Sequence, residues 1–187
     1  GEAQLDLERI DGQRGAFNLA ASYSNETRVL AVDLSLDEGP GGIVAKLVNL
    51  PGEPALSLSV QGEDTLDDFT ADVMLATDGE SRLAGQVRVM AETTETAEGE
   101  TISDTRVEAD LSGDLRPLFT EEYQDFFGGE SVLHLEATRF SNGTTQVGDL
   151  FVRTDALNLR GDATINDKGW PERAHLEGRI ANADGSP

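Results

Sequence analysis

Residues 30–36 read LAVDLSL, in which Leu30, Val32, Leu34 and Leu36 alternate with small or polar residues. An alternation of period two puts every second side chain on the same face, as in a β-strand with one buried face. The same pattern recurs along most of the chain, and short turn sequences separate its repeats. The sequence therefore predicts a mainly β protein in which about eleven strands form a long antiparallel meander sheet.

The turns between the predicted strands have sequences typical of tight hairpins, for example Asp78-Gly79 and Asn142-Gly143. Between the turns, the apolar positions of successive strands predict one continuous apolar face. The residues predicted to line this face are Leu30, Val32, Leu34, Leu56, Leu58, Val60, Phe69, Val73, Leu75, Leu83, Val87, Val89, Val107, Leu111, Leu133, Leu135, Leu150, Val152, Leu157, Leu159, Ile165, Leu176 and Ile180.

Two segments interrupt the alternation, and the first is residues 41–49. Apolar residues there recur three and four positions apart, after Pro40 and before Pro51. This spacing predicts a short helix near 41–49, and a buried strand is the alternative.

The second interruption is residues 114–129. Phe119, Tyr123 and Phe127 recur every four positions, and two glycines follow them. The spacing predicts a short amphipathic helix that ends at the glycines. Its aromatic side chains must then pack against an apolar surface.

The length of 187 residues corresponds to about one domain. We expect one continuous structural unit in three parts, which is an internal segment of a longer protein. Residues 1–113 form a first section of the sheet, 114–129 the amphipathic helix, and 130–187 a second section.

The chain is strongly acidic, with 14 Lys and Arg against 36 Asp and Glu and a formal net charge of −22. Such a surface repels phosphate backbones, so we predict no nucleic-acid partner. No apolar run approaches the roughly 20 residues of a membrane-spanning helix. The acids predict a solvated exterior, and a patch for cations or for a basic partner is the alternative. The densest acidic segment, 92–104, predicts a long exposed hairpin loop.

Sequence motifs for catalysis are absent. The chain has no cysteine, which excludes disulfides, thiolate zinc sites and cysteine nucleophiles. It also lacks a nucleophile elbow, a metalloprotease helix, a phosphate-binding loop and a dinucleotide-binding glycine pattern. We therefore predict that the chain is not an enzyme and has no catalytic residue and no cofactor.

A short motif occurs twice, as His134-Leu135-Glu136 and His175-Leu176-Glu177. In a strand, the His and Glu of each motif share a face and could chelate a metal ion. More often, such a pair simply occupies the solvated side of a sheet. Because no third ligand has a fixed spacing to either pair, we predict no metal site.

Several Leu, Gly and Pro placements resemble a known family. They are LSLDEGPGG at 34–42, LPGEPALSL at 50–58, Asp78-Gly79 followed by Leu83-Ala84-Gly85, and LNLRG at 157–161. These segments resemble the TamB family, the translocation and assembly module proteins of Gram-negative envelopes, within the AsmA-like, repeating β-groove group.

The resemblance implies a sheet curled into an open hydrophobic groove, or β-taco, with two short helical insertions. It implies a periplasmic location in a protein anchored in the inner membrane. It also implies that the predicted apolar face lines the groove and binds phospholipid acyl chains, which move between the inner and outer membranes. The implied partners are flanking segments of the same chain at both sheet edges and a TamA-like outer-membrane barrel. The family is further implicated in outer-membrane protein assembly.

Periodicity alone leaves other architectures open. A one-faced sheet can curl around a guest, close as a barrel or fold as a sandwich. The alternative function is a calcium- or ligand-binding β-sandwich adhesion module of a secreted or surface protein. A third candidate is a carbohydrate-active domain that uses Trp170 and a pair of acids.

Overall fold

Eleven strands form one antiparallel sheet in the computed structural model, which describes residues 1–12, 14–95 and 101–181. Each strand pairs with its neighbours in the chain, so the meander predicted from the sequence is confirmed. The strands are β1 (Glu2–Glu8), β2 (Gly15–Tyr23), β3 (Val29–Glu38), β4 (Leu56–Thr65), β5 (Asp68–Thr77), β6 (Glu80–Glu95), β7 (Thr101–Gly113), β8 (Ser131–Arg139), β9 (Thr145–Arg153), β10 (Leu157–Ile165) and β11 (Pro171–Ile180). Strands β1 and β11 are the two edges, and the sheet is not closed.

The hairpin turns have the backbone geometry that their sequences predict. Asp78 and Gly79, between β5 and β6, both have positive φ angles, of 52° and 82°. This combination matches a two-residue turn whose twist suits the flanking strands. Gly143, in the turn between β8 and β9, also has a positive φ, of 87°.

Register shifts keep the apolar residues on one face where their spacing is irregular. In β9, Val147 and Leu150 are three positions apart, yet they pair with Ala137 and Leu135, which share a face of β8. A bulge between them absorbs the additional residue. The alternation in the sequence is therefore interrupted there, but the face is continuous.

The two helical insertions lie at the same end of the sheet. Helix α1 (Ile43–Leu47) follows β3, and helix α2 (Glu121–Phe127) follows β7 after a 3-10 turn at Arg116–Leu118. Strands alternate in direction, so both odd-numbered strands end on the same side. We call this side the helical end. The opposite side, the turn end, consists of residues 24–28, 66–67, 140–144 and 166–170.

The first insertion is the short helix predicted near residues 41–49, and not a buried strand. The second insertion is shorter than the predicted segment 114–129. Phe119 has an extended backbone, with φ −124° and ψ 157°, and α2 begins only after Thr120. Phe119 nevertheless stacks on Phe127, with ring centroids 4.0 Å apart. Its aromatic contact with the helix therefore forms although Phe119 is outside it.

The acidic segment 92–104 differs from the long loop expected. Glu92–Glu95 of β6 pair in register with Thr101–Asp104 of β7. Threonine is frequent on both sides of this ladder, and β-branched residues suit a pleated strand. Residues 96–100 of the expected loop lie outside the described residues.

The described strands belong to one continuous sheet with few fully buried side chains. Within the described residues, strands pack mainly against their neighbours in the sheet, and the buried apolar side chains are Ala45, Leu56, Ala71 and Ala109. The accessible surface is 11972 Å². A compact monomer of this mass exposes about 8,700 Å². The larger area accords with an open sheet in which few side chains are fully buried.

Candidate functional site: the uncovered apolar face

The strand register places all the predicted lining residues, from Leu30 to Ile180, on the same face of the sheet, which we call the apolar face. Residues that pair directly across an antiparallel ladder point to the same side. One row crosses every strand through Leu5, Leu19, Leu34, Val60, Val73, Gly85, Leu111, Leu133, Val152, Leu159 and Gly178. No residue in this row has a polar side chain.

Exposure on the apolar face increases towards the edges. Leu111 and Leu133, in central strands, are half-buried, because neighbouring side chains on the same face shield one another. Leu5 in β1 is 45% exposed, and Ile180 in β11 is 71% exposed. The face therefore presents aliphatic surface to water along the whole sheet.

One glycine in the row is required by close backbone approach. Gly85 has a φ of 156°, and a β-carbon there would collide with the carbonyl oxygen of Asp110 in β7. Only glycine fits this position without a shift of the backbone.

At the helical end, the apolar face is covered by the insertions. The buried Glu38 accepts hydrogen bonds from the backbone N–H groups of Ile43 and Val44, at 3.0 and 2.8 Å. The buried Ser131 hydroxyl donates to the carbonyl oxygen of Phe127 at 3.3 Å. Since Glu38 and Ser131 belong to the apolar face, the start of α1 and the end of α2 lie on the apolar side.

At the turn end, the apolar face becomes polar. Its last positions on the central strands form a polar row, which consists of Thr93, Ser103, Thr105, Arg139 and Thr145. Sequence reasoning did not single out Arg139. The signal was present, because Arg139 continues the series Leu133, Leu135, Ala137 at the next alternate position.

The opposite face, which we call the polar face, contains both histidine motifs. His134 Nδ1 donates to Asp110 at 2.6 Å, and this hydrogen bond raises the pKa of His134. The second motif is looser, because His175 Nδ1 lies 3.7 Å from Asp162. The two ring nitrogens of each histidine are directed at separate carboxylates. In the part of the chain that the structure describes, no three His, Asp or Glu side chains come together to hold a metal ion.

A hollow of about 670 Å³ also lies on the polar face, over β1 to β5. Small side chains such as Ala20 and Ala31 form its floor, and Asp33, Gln61 and Asp72 are among its walls. Most of the side chains that line the hollow belong to the polar face, although Val32 of the apolar face also borders it. Trp170, suggested above for sugar stacking, lies in the turn between β10 and β11 and is 70% exposed.

Among the described helices, none is both long enough and apolar enough to cross a membrane. The chain matches no model of a known protein family, no curated protein and no solved structure.

Proposed function

We propose that this chain is a segment of an envelope-spanning periplasmic protein that conducts phospholipid between the inner and outer membranes. The protein is anchored in the inner membrane of a Gram-negative bacterium and also supports outer-membrane protein assembly. The observation that carries the proposal is the unbroken row of apolar residues and glycine across all eleven strands of an uncovered sheet.

The uncovered face needs an occupant. Soluble proteins rarely expose contiguous apolar patches larger than a few hundred Å², and larger patches mark sites of interaction. A second sheet would be the usual cover, but the described strands all belong to one sheet. The same observation gives no support to the β-sandwich adhesion module considered above.

Acyl chains suit this face better than a folded partner. The row through Val60, Val73, Leu111 and Leu133 has no hydrogen-bonding side chain and no large aromatic anchor. A binding surface for a protein concentrates aromatic residues and arginine at its centre. A largely aliphatic row instead favours a ligand that can shift from strand to strand without losing a specific contact.

The energetic role of such a face is to replace the membrane interior. Two acyl chains with about 30 methylenes cost on the order of 25 kcal/mol to carry through water, at about 0.8 kcal/mol for each methylene. Eleven strands at about 4.8 Å spacing extend roughly 50 Å, more than the roughly 30 Å of a hydrocarbon layer. A continuous apolar face removes most of this barrier without a catalytic residue.

The proposed partners follow from the same arrangement. The edge strands β1 and β11 each leave one side of the backbone unpaired within the described sheet, and flanking segments of the same protein extend the sheet there. A TamA-like outer-membrane barrel binds regions outside this chain. Phospholipid acyl chains occupy the apolar face.

The test is to purify the chain from a Gram-negative host, extract it with organic solvent and measure phospholipid per protein by mass spectrometry. We expect bound phospholipid in the wild-type chain. Leu111→Arg should abolish phospholipid binding. Ser112→Arg should retain it, because Ser112 is the next residue and lies on the polar face. A lipid-free wild-type chain with the circular dichroism spectrum of a folded sheet would contradict the proposal.

A further inference from the structure

Arg139 has an unusual position for a charged side chain. It pairs with Thr105 on β7 and with Thr145 on β9, so it belongs to the apolar face. It lies in the polar row at the turn end, where the strand β8 finishes. Its side chain is exposed.

Arg139 also has no ion pair within the described residues, although the chain carries an excess of acids. Half of the arginines in the strands are in ion pairs, as Arg88 is with Asp68 and Arg106 with Glu108 and Glu136. The other strand arginines that lack an ion pair in the described chain are on the polar face; they are Arg160, Arg173 and Arg179. Arg139 is therefore an uncompensated cation at the margin of an aliphatic surface.

Hydroxyl groups surround this cation. Arg139 Nη1 lies 3.5 Å from the hydroxyl oxygen of Thr145, which is a long contact for a hydrogen bond. Most of the five N–H donors of the guanidinium thus remain available. Arginine binds phosphate through two parallel hydrogen bonds, and the hydroxyls of Thr105 and Thr145 can donate to further phosphate oxygens.

The apolar path that leads away from Arg139 has the length of an acyl chain. Along β8 the face continues through Ala137, Leu135 and Leu133 towards the helical end, where Ser131 contacts α2. The six steps along the strand from Arg139 to Leu133 extend about 20 Å at roughly 3.3 Å per residue. One leaflet of a bilayer core is about 15 Å deep. A chain that starts at Arg139 therefore finds aliphatic surface over its whole length.

We propose that Arg139, with the hydroxyls of Thr105 and Thr145, binds the phosphate of an amphiphile whose acyl chain lies along β8 on the apolar face. The inference rests on the proposed function, because it takes this face to hold acyl chains. It adds an orientation: the phosphate is at the turn end, and the chain end points to the covered helical end.

The net charge of the protein decides between a lipid phosphate and free phosphate. A formal charge of −22 repels inorganic phosphate from the surface as a whole. An acyl chain held on the apolar face keeps its phosphate near Arg139 and overcomes this repulsion through a high local concentration. Binding to Arg139 should therefore require both parts of the amphiphile.

The experiment is isothermal titration calorimetry of the whole chain with three probes, each below its critical micelle concentration. The probes are dodecyl phosphate, the uncharged dodecyl glycerol ether and inorganic phosphate. In Arg139→Gln we expect affinity for dodecyl phosphate to fall by roughly tenfold, as for loss of a charged hydrogen bond. Affinity for the uncharged probe should not change. Arg179→Gln, an arginine on the polar face without an ion pair in the described chain, should leave both affinities unchanged.

The phosphate site and the acyl-chain surface are contradicted by different results. If Arg139→Gln binds dodecyl phosphate as tightly as the wild type, the phosphate site is overturned, while binding of the uncharged probe still supports the proposed function. If the wild type binds neither dodecyl probe, the proposed function fails. If inorganic phosphate alone binds with a dependence on Arg139, an anion site unrelated to lipid replaces the inference. A fall of about threefold in the affinity of Thr145→Val for dodecyl phosphate would support the phosphate site.

Discussion

Glu38 Oε2 accepts the backbone N–H of Val44 at 2.8 Å, and Oε1 accepts that of Ile43 at 3.0 Å. The carboxylate starts on the apolar face, opposite Leu56 in β4. One buried acid therefore fixes the first turn of α1 on the apolar side of the helical end. The hydrogen bond from Ser131 to the carbonyl oxygen of Phe127 likewise holds the end of α2 on the apolar side. The helical end of the apolar face is therefore covered, and the turn end remains open.

Replacing Glu38 by alanine should destabilise the chain. The substitution removes two hydrogen bonds to a charged acceptor and leaves two backbone N–H groups without a partner. We expect the free energy of unfolding to fall by about 2 kcal/mol, measured by urea denaturation. Glu53→Ala should change it by less than about 0.5 kcal/mol, because Glu53 is exposed and lies 3.8 Å from Lys46. Equal stability of the two variants would contradict this role of Glu38.

Gly85→Ala should be more damaging than an ordinary glycine substitution. A β-carbon at this position meets the backbone of Asp110, so β6 and β7 must separate locally. We expect a loss of about 2 kcal/mol or more in the free energy of unfolding. Gly148→Ala is the matched control, because no atom lies within 4 Å of its added carbon. Urea titrations that show the same small effect for both glycines would rule out the close approach.

The pair of His134 and Asp110 should make stability depend on pH. The hydrogen bond that His134 donates to Asp110 raises the pKa of His134 in the folded chain, above the value of about 6.5 typical of unfolded histidine. The stabilisation is therefore complete below about pH 6.5 and is lost as pH rises through the folded pKa. Its size is small, because Asp110 is largely exposed.

The check is to compare the wild type with His134→Gln and Asp110→Asn in urea titrations between pH 5.5 and pH 8.5. The wild type should exceed both variants in stability at the acid end, and the difference should shrink towards the alkaline end. A difference that grows with pH would have the wrong sign and would contradict the assignment.

Val73→Arg should prevent binding of a fluorescent fatty acid to the chain. Val73 is on the apolar face of β5, and a guanidinium there must be dehydrated when an acyl chain covers it. We expect affinity to fall by at least about tenfold. Met74→Arg is the matched control, since Met74 is the next residue, is on the polar face and is 49% exposed. Equal affinities in the two variants would show that the probe does not bind the apolar face.

Much of the fold follows from local chemistry. The alternation in LAVDLSL, and its recurrence in ten further strands, decides both the sheet and the identity of its two faces. Asp78-Gly79 and Asn142-Gly143 mark hairpins because Asp78, Gly79 and Gly143 adopt positive φ at low cost. Because the apolar residues alternate within each strand and the strands pair in register, the predicted lining residues all lie on one face.

Other features depend on contacts that periodicity does not contain. Phe119 fits the helical spacing of Tyr123 and Phe127, but an extended backbone places it outside α2 and stacks it on Phe127. Thr120, followed by two acidic residues, was the signal for the true start of that helix. The acidic composition of 92–95 and 101–104 predicts a loop, whereas the threonines among these acids allow paired strand ends. A prediction that considers only apolar positions does not include Arg139, although Arg139 is the next alternate residue after Leu133, Leu135 and Ala137.

The central claim is that acyl chains contact the apolar face and not the polar face. Its most direct test uses a phospholipid with a photoreactive group in its acyl chain, crosslinked to the whole chain and mapped residue by residue by mass spectrometry. The account predicts adducts on alternate positions of β7 and β8, at Leu111, Leu133 and Leu135. Adducts distributed equally between these residues and their neighbours Ser112 and His134, or adducts on the polar face alone, would contradict it.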